Sequence, residues 1–222
     1  MHDNGAVESF YNRLTVFEPR ERGDTRALAL YSAATAVGDQ SSLDATVAIA
    51  RRHAVTHDQL YEIVLQSYLF LGFPRMLIAA EHLSRHFPTA NPKSSLHKIS
   101  DQESQTWFTR GRELCRQVYS DNFPALRRKV ESYAPEVFRW MVIEGYGKVL
   151  SRPGLSIVDR EMAIITSLMI DNREKQLFAH IKGAKNVRAP HSLIRHVIHD
   201  LGTAAPEGYS AALSILDQLG FV

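Results

Sequence analysis

Arg26-Ala27-Leu28-Ala29-Leu30 and Arg160-Glu161-Met162-Ala163-Ile164 carry one pattern twice: an arginine, then small and aliphatic residues. At the same spacing Leu43 meets Leu177, Ala45 meets Ala179, Ala50 meets Ala184 and His57 meets His191. Leu60, Ile63 and Val64 then fall opposite Ile194, Val197 and Ile198. After a small change in length, Pro74 aligns with Pro206 and Ala79-Ala80 with Ala211-Ala212. Hydrophobic classes and helix breaks that stay in step along four successive segments predict a duplicated helical unit.

Each segment has helical periodicity. Leu28, Leu30, Tyr31, Ala34 and Val37 share a face that Gly38 ends, and Leu43, Val47 and Ala50 form the next stripe before Arg51 and Arg52. Thr56 and Gln59 make a capping box ahead of Leu60, Ile63 and Val64. Gly72-Phe73-Pro74 breaks the chain, and Pro74 suits the first turn of the helix carrying Met76, Leu77, Ala79, Ala80 and Leu83. The stretch 87–100, with Pro88, Asn91, Pro92, Ser94 and Ser95, reads as a connection between halves.

In the second half Asp101 is a candidate cap for a helix through Trp107, Leu114 and Val118, followed by a short helix over 123–133. Pro135 opens one through Phe138, Trp140, Met141, Ile143 and Tyr146. After the turn Arg152-Pro153-Gly154-Leu155, Ser156 caps a helix with Asp159 in its first turn. Further helices are expected over 157–170, 174–187, 190–201 and 206–219. No segment alternates with a two-residue period, so the expected class is all-α, with units over 1–100 and 101–222.

Composition fits this. The 222 residues are 45% hydrophobic, enough for a sizeable core, and the net charge is only +2. The basic clusters Arg51-Arg52 and Arg127-Arg128-Lys129 are short and lie on expected helices, which argues against nucleic acid as a partner. One cysteine, Cys115, excludes an internal disulfide and a CxxC redox pair, and it reads as a small buried hydrophobe. The start, Met1-His2-Asp3-Asn4-Gly5, lacks the pattern of a secretory leader, and no apolar run suggests a membrane span. The expected location is the cytoplasm.

Three stretches together resemble a known family. Tyr146-Gly147, Arg152-Pro153-Gly154-Leu155-Ser156 and Asp159-Arg160-Glu161 look like the start of the conserved unit of the carboxymuconolactone decarboxylase and alkylhydroperoxidase D-like superfamily. Ala179-His180-Ile181-Lys182-Gly183-Ala184-Lys185-Asn186 is similar to that unit's histidine-bearing helix. In the first half, Leu71-Gly72-Phe73-Pro74 with Ala79-Ala80 matches the helix near the unit's end. The resemblance spans Arg26–Leu83 and Tyr146–Leu219. It implies a helical fold, homo-oligomers that are often trimers or hexamers, and pockets lined by helices.

By the same resemblance Glu161 matches the family's helix-borne acid and His180 its histidine. The redox branch has two cysteines before that histidine. Here those positions are Arg173 and Gln176, and in the first half Asp39 and Ser42, so thiol peroxidase chemistry is not expected. Nor does the acid–histidine pair repeat: Ala27 stands opposite Glu161 and Thr46 opposite His180.

A carboxylate beside an imidazole fixes its tautomer and raises its basicity, which suits proton transfer at carbon next to a carbonyl. The expected catalytic residues are therefore Glu161 and His180, with Arg173 as the group gripping a substrate carboxylate. The implied activity is a lyase acting without cofactor or metal on a small organic acid or lactone. A helical oligomer that kept the fold as a ligand- or protein-binding scaffold is the alternative. Arg160 reads as an anchor for the neighbouring acid. His196 and His199, three apart on one helix, read as surface residues, and His53, His57, His82 and His86 have no expected role. Trp107, Phe138, Trp140 and Tyr146 are expected in the core.

Overall fold

Four of the helix starts are fixed by side chains that take up backbone N–H groups left free by the first turn. Thr56 accepts from the Gln59 N–H while the Gln59 side chain accepts from the Thr56 N–H. The same reciprocal box joins Ser100 to Glu103 and Ser156 to Asp159. The box at Ser100 places that cap one residue ahead of Asp101, the expected position. Asp39 caps the helix that follows it, accepting from the Ser42 N–H at 2.9 Å.

The computed structural model describes residues 4–87 and 99–221, with side chains from Phe10 onward in the first helix. Most of the expected connection between halves, 88–98, lies outside the described residues. The helices are α1 (Asn4–Thr15), α2 (Gly23–Val37), α3 (Gln40–Arg52), α4 (His57–His86), α5 (Asp101–Tyr119), α6 (Phe123–Glu131), α7 (Pro135–Trp140), α8 (Ile157–Ile170), α9 (Glu174–Asn186), α10 (His191–Leu201) and α11 (Pro206–Gln218). No strand occurs among the described residues, and the fold is all-α.

Four features differ from the sequence reading. Helix α1 was not expected, because Phe10 and Leu14 are isolated among polar residues; both are nevertheless buried, and Arg13 donates to the Asp200 carbonyl at 2.8 Å. The helix starting at Pro135 changes form, and Met141–Leu150 is π-helical. This π-helix meets α5 backbone to backbone: a Cβ on Gly147 would sit 2.0 Å from the Trp107 carbonyl oxygen. Trp140 is not in the core but 62% exposed. Finally, α4 is long and apolar enough, by length and composition, to cross a membrane. It is interrupted at Gly72, whose φ of 76° and ψ of 168° leave the helical region, and Pro74 falls in the first turn of the segment that restarts beyond it.

Two buried helices, one from each half, form the centre. Nearly every residue from Thr25 to Ala36 in α2 and from Arg160 to Met169 in α8 is buried, and the two helices pack along each other. Small residues on α2 (Ala27, Ala29, Ala33, Ala34) allow the close approach, and the Thr166 hydroxyl donates to the Ala29 carbonyl at 2.6 Å. The buried side chains of both halves belong to one continuous core. Each fully buried aliphatic side chain in it contributes about 1.5–3 kcal/mol.

Backbone details recur at the spacing that aligns the halves. Gln40–Arg52 and Glu174–Asn186 have matching limits, as do the starts at His57 and His191. Left-handed residues close corresponding helices: Gly38 and Asn172, then Ala54 and Arg188. The Val55 N–H donates to the Ala50 carbonyl and the Ala189 N–H to the Ala184 carbonyl, both at 2.9 Å. The arginines also act crosswise. Arg26 of α2 reaches Asp200 of α10 in two hydrogen bonds, and Arg160 of α8 reaches Gln66 of α4, the corresponding position in the other half.

Candidate active site

Glu161 and His180 meet because α8 and α9 form a hairpin. Asp171, Asn172 and Arg173 connect them, with Asn172 at a φ of 53° making the reversal. Glu161 lies one turn into α8 and His180 midway along α9, and their side chains face each other. His180 Nδ1 lies 2.9 Å from Glu161 Oε2. The bond defines the roles: Nδ1–H donates to the carboxylate, which leaves Nε2 as the free nitrogen. Gly183, one turn beyond His180, keeps the space open, since a Cβ there would lie 3.4 Å from Glu161 Oε2 and 2.8 Å from Val118.

The surroundings are aromatic and closed. Phe70 of α4 presents its ring edge-on to His180, centroids 5.3 Å apart. Tyr119 and Tyr146 pack together in a T-shaped pair 6.1 Å apart. Burial pushes the Tyr119 phenol up to about 12, with smaller contributions from neighbours including Glu161. Burial likewise raises Tyr146 well above its ordinary value. Both remain neutral hydrogen-bond donors at physiological pH. Glu161 has no exposed surface and His180 retains 5%; Glu161 Oε1 is buried without a partner among the described residues. The pair is thus assembled but covered, reached only at the edge of the imidazole.

Arg173 is not brought together with the pair. It precedes the first residue of α9, about 10 Å along the helix axis from His180 at 1.5 Å per residue. Its side chain is 61% exposed and its Nε donates to Asp171 at 2.8 Å. It lines a separate cavity of about 130 Å³ with Leu168, Leu177 and Glu207.

Arg160 turns the other way from Glu161. It is fully buried, donating to Glu62 at 2.8 Å, to Gln66 at 3.2 Å and to the Arg152 carbonyl at 3.0 Å. Burial lowers its basicity and Glu62 opposes that effect. This is an anchor between α8 and α4. His199 bonds the Tyr209 hydroxyl at 2.8 Å. Cys115 is fully buried, and burial pushes its thiol up to about 12.

The sequence reading missed Phe70, Tyr119 and, as a neighbour of the pair, Tyr146, since nothing in their local pattern separates a neighbour of the pair from any other core residue. It also set aside His82 and His86, which converge with Asp44 on α3. Their separation of four residues, one helical turn, was the available signal. No family model matches the chain, and no curated protein does.

Proposed function

We propose that the chain is a carboxymuconolactone decarboxylase-like protein in which Glu161 and His180 carry cofactor-independent proton transfer on a small organic acid or lactone. The observation that carries this reading is the 2.9 Å bond from His180 Nδ1 to a fully buried carboxylate, which leaves the other ring nitrogen for a substrate. In a decarboxylation the bond from the α-carbon to the carboxylate breaks, carbon dioxide leaves, and the electron pair passes to the adjacent carbonyl as an enolate. His180, having taken up the proton of the entering acid at Nε2 and been held as imidazolium by Glu161, then delivers that proton to the carbon and is left neutral. A neutral tyrosine hydroxyl is the kind of donor that would steady the enolate oxygen. Phe70, whose ring packs against His180, is a side chain that would have to move for a substrate to reach it.

The proposed protein is a cytoplasmic tandem of two related units, 1–100 and 101–222. Matching helix limits, matching left-handed residues and the crosswise arginines support the duplication. Self-association into a trimer or hexamer is supported by the apolar residues Phe73, Leu77 and Ile78, which α4 leaves exposed.

The test is carbon dioxide release from a panel of β-keto acids and carboxylated lactones by the full chain. Turnover by the wild type, abolished in His180→Gln and increased in Phe70→Ala, is expected. Turnover indifferent to His180→Gln would remove this pair from the chemistry. The second reading, a non-catalytic helical scaffold, is favoured by the burial of both groups. It prevails if neither the wild type nor Phe70→Ala turns over any member of the panel.

A further inference from the structure

We propose that Asp44, His82 and His86 form a binding site for a divalent transition-metal ion of the zinc class, between α3 and the second segment of α4. The site is separate from the Glu161–His180 pair and does not depend on the function proposed for it.

His82 and His86 are four residues apart, so both rings project from one face of α4. Asp44 projects from α3 opposite them. His82 Nε2 lies 2.9 Å and His86 Nε2 2.8 Å from the same oxygen, Asp44 Oδ1. The imidazole rings tilt together with centroids 4.5 Å apart. The three donor atoms all lie within 4.8 Å of one another. Two imidazoles whose Nε2 atoms converge on one carboxylate oxygen bring together the ligand types of an open three-residue site, with remaining positions left for water.

Bond lengths of about 2.0–2.2 Å to such an ion put tetrahedral ligand atoms about 3.3–3.6 Å apart. The two contacts to Asp44 are therefore about half an ångström too close for a central ion, and the set must open slightly to admit one. Asp44, with its side chain 47% exposed, is the member free to move, and His86 is partly exposed as well. Gln40 also donates to the carboxylate, its Nε2 3.2 Å from Oδ1 and 3.3 Å from Oδ2, and that exposed contact loosens as Asp44 moves. The paired imidazoles select a nitrogen-preferring ion over magnesium or calcium.

Two features limit the affinity. Binding through Nε2 shifts the His82 proton to Nδ1, which is buried and has no partner, whereas a ligating histidine usually donates from its other nitrogen. Arg85 also lies close, although it is held by Glu81 at 3.4 Å and by Gln40 at 3.0 Å. An exchangeable ion is therefore expected here rather than a permanently held one. Bound, it would tie α3 to the part of α4 that follows the break at Gly72.

The experiment uses the full chain, stripped with a chelator and titrated with zinc against a chromogenic competitor, then with cobalt(II) followed by visible absorption. One equivalent is expected to bind, with a cobalt spectrum showing nitrogen ligation and a rise in Tm on adding zinc. Asp44→Asn and His86→Ala, both at partly exposed side chains, should keep the helical circular dichroism yet weaken zinc at least tenfold, by analogy with the 10–100-fold cost of altering even the groups that orient metal ligands. His196→Ala should bind like the wild type. The proposal is overturned if the wild type takes up no equivalent, or if both site variants bind zinc as it does.

Discussion

Helix limits and left-handed closures recur between the two halves, yet each carries an ionisable cluster where the other carries none. In the second half α8 and α9 hold Glu161 against His180; at the corresponding positions Ala27 is buried and the Thr46 hydroxyl folds back onto the Ser42 carbonyl of its own helix. In the first half Asp44, His82 and His86 converge, while the second half has Phe178, Ser214 and Gln218 there. The last helices differ too. A Cβ on Gly208 of α11 would sit 2.1 Å from the Met169 carbonyl oxygen, so α11 lies tight on α8. Met76 stands at that place in α4, whose second segment exposes Phe73, Leu77 and Ile78. The lesson is that helix limits tolerate opposite choices of side chain, and of N-terminal cap, so long as the left-handed closures and the central α2–α8 contact persist.

The crosswise arginines offer the sharpest way to break this likeness. Arg160 is fully buried and Arg26 is 13% exposed, so the same device should differ in energy. Glu62→Ala strands a buried guanidinium and is expected to cost about 3–5 kcal/mol in urea unfolding. Asp200→Ala should cost distinctly less, because water can reach Arg26. Equal losses would show that burial does not distinguish the two anchors.

The next largest effect tests the pair itself by copying the first half into the second. Glu161→Ala removes the partner that His180 Nδ1 has among the described residues and opens a hole, for an expected loss of about 2 kcal/mol. Adding His180→Thr, which reproduces Ala27 and Thr46, should restore part of that, giving a coupling energy of about 0.5–3 kcal/mol in a double-mutant cycle. Simple additivity would mean that the two residues do not act as a unit. Smaller again is the exposed face of α4. Leu77→Asp is expected to weaken self-association about tenfold in sedimentation, equivalent to about 1.4 kcal/mol, with helix content unchanged. Unaltered sedimentation would leave that face without a role in assembly. The smallest effect belongs to Cys115. Its raised, buried thiol should resist a thiol-labelling reagent until the protein is unfolded, and Cys115→Ala should leave turnover unchanged. Rapid labelling of the folded chain would contradict the closed packing around α5.

Much of this fold was legible because its determinants are local. The box at Thr56, the cap at Ser156, the stop at Gly38 and the helical stripes announce themselves within a few residues. Helix α1 was not legible, because two buried residues in a polar stretch acquire meaning only from the partners they meet. The π-helix was hidden for a related reason: Gly147 looks like any glycine until Trp107 approaches it. At the site, Glu161 and His180 were found through a resemblance, and their hydrogen bond follows from the short α8–α9 hairpin. Arg173 was expected beside them, but the start of α9 puts it two turns away and Asp171 takes up its charge. Phe70 could not be assigned, since the contact with His180 joins positions far apart in the chain.

The packing of α2 against α8 also has a consequence in time. Helix α2 presents its small apolar face to a partner whose first residue, Ile157, is made long after Val37 has left the ribosome. At synthesis rates of about 5–20 residues per second, that face waits roughly 6–24 s for its cover. During the delay that face of the nascent first half is uncovered apolar surface, the kind on which incomplete chains aggregate.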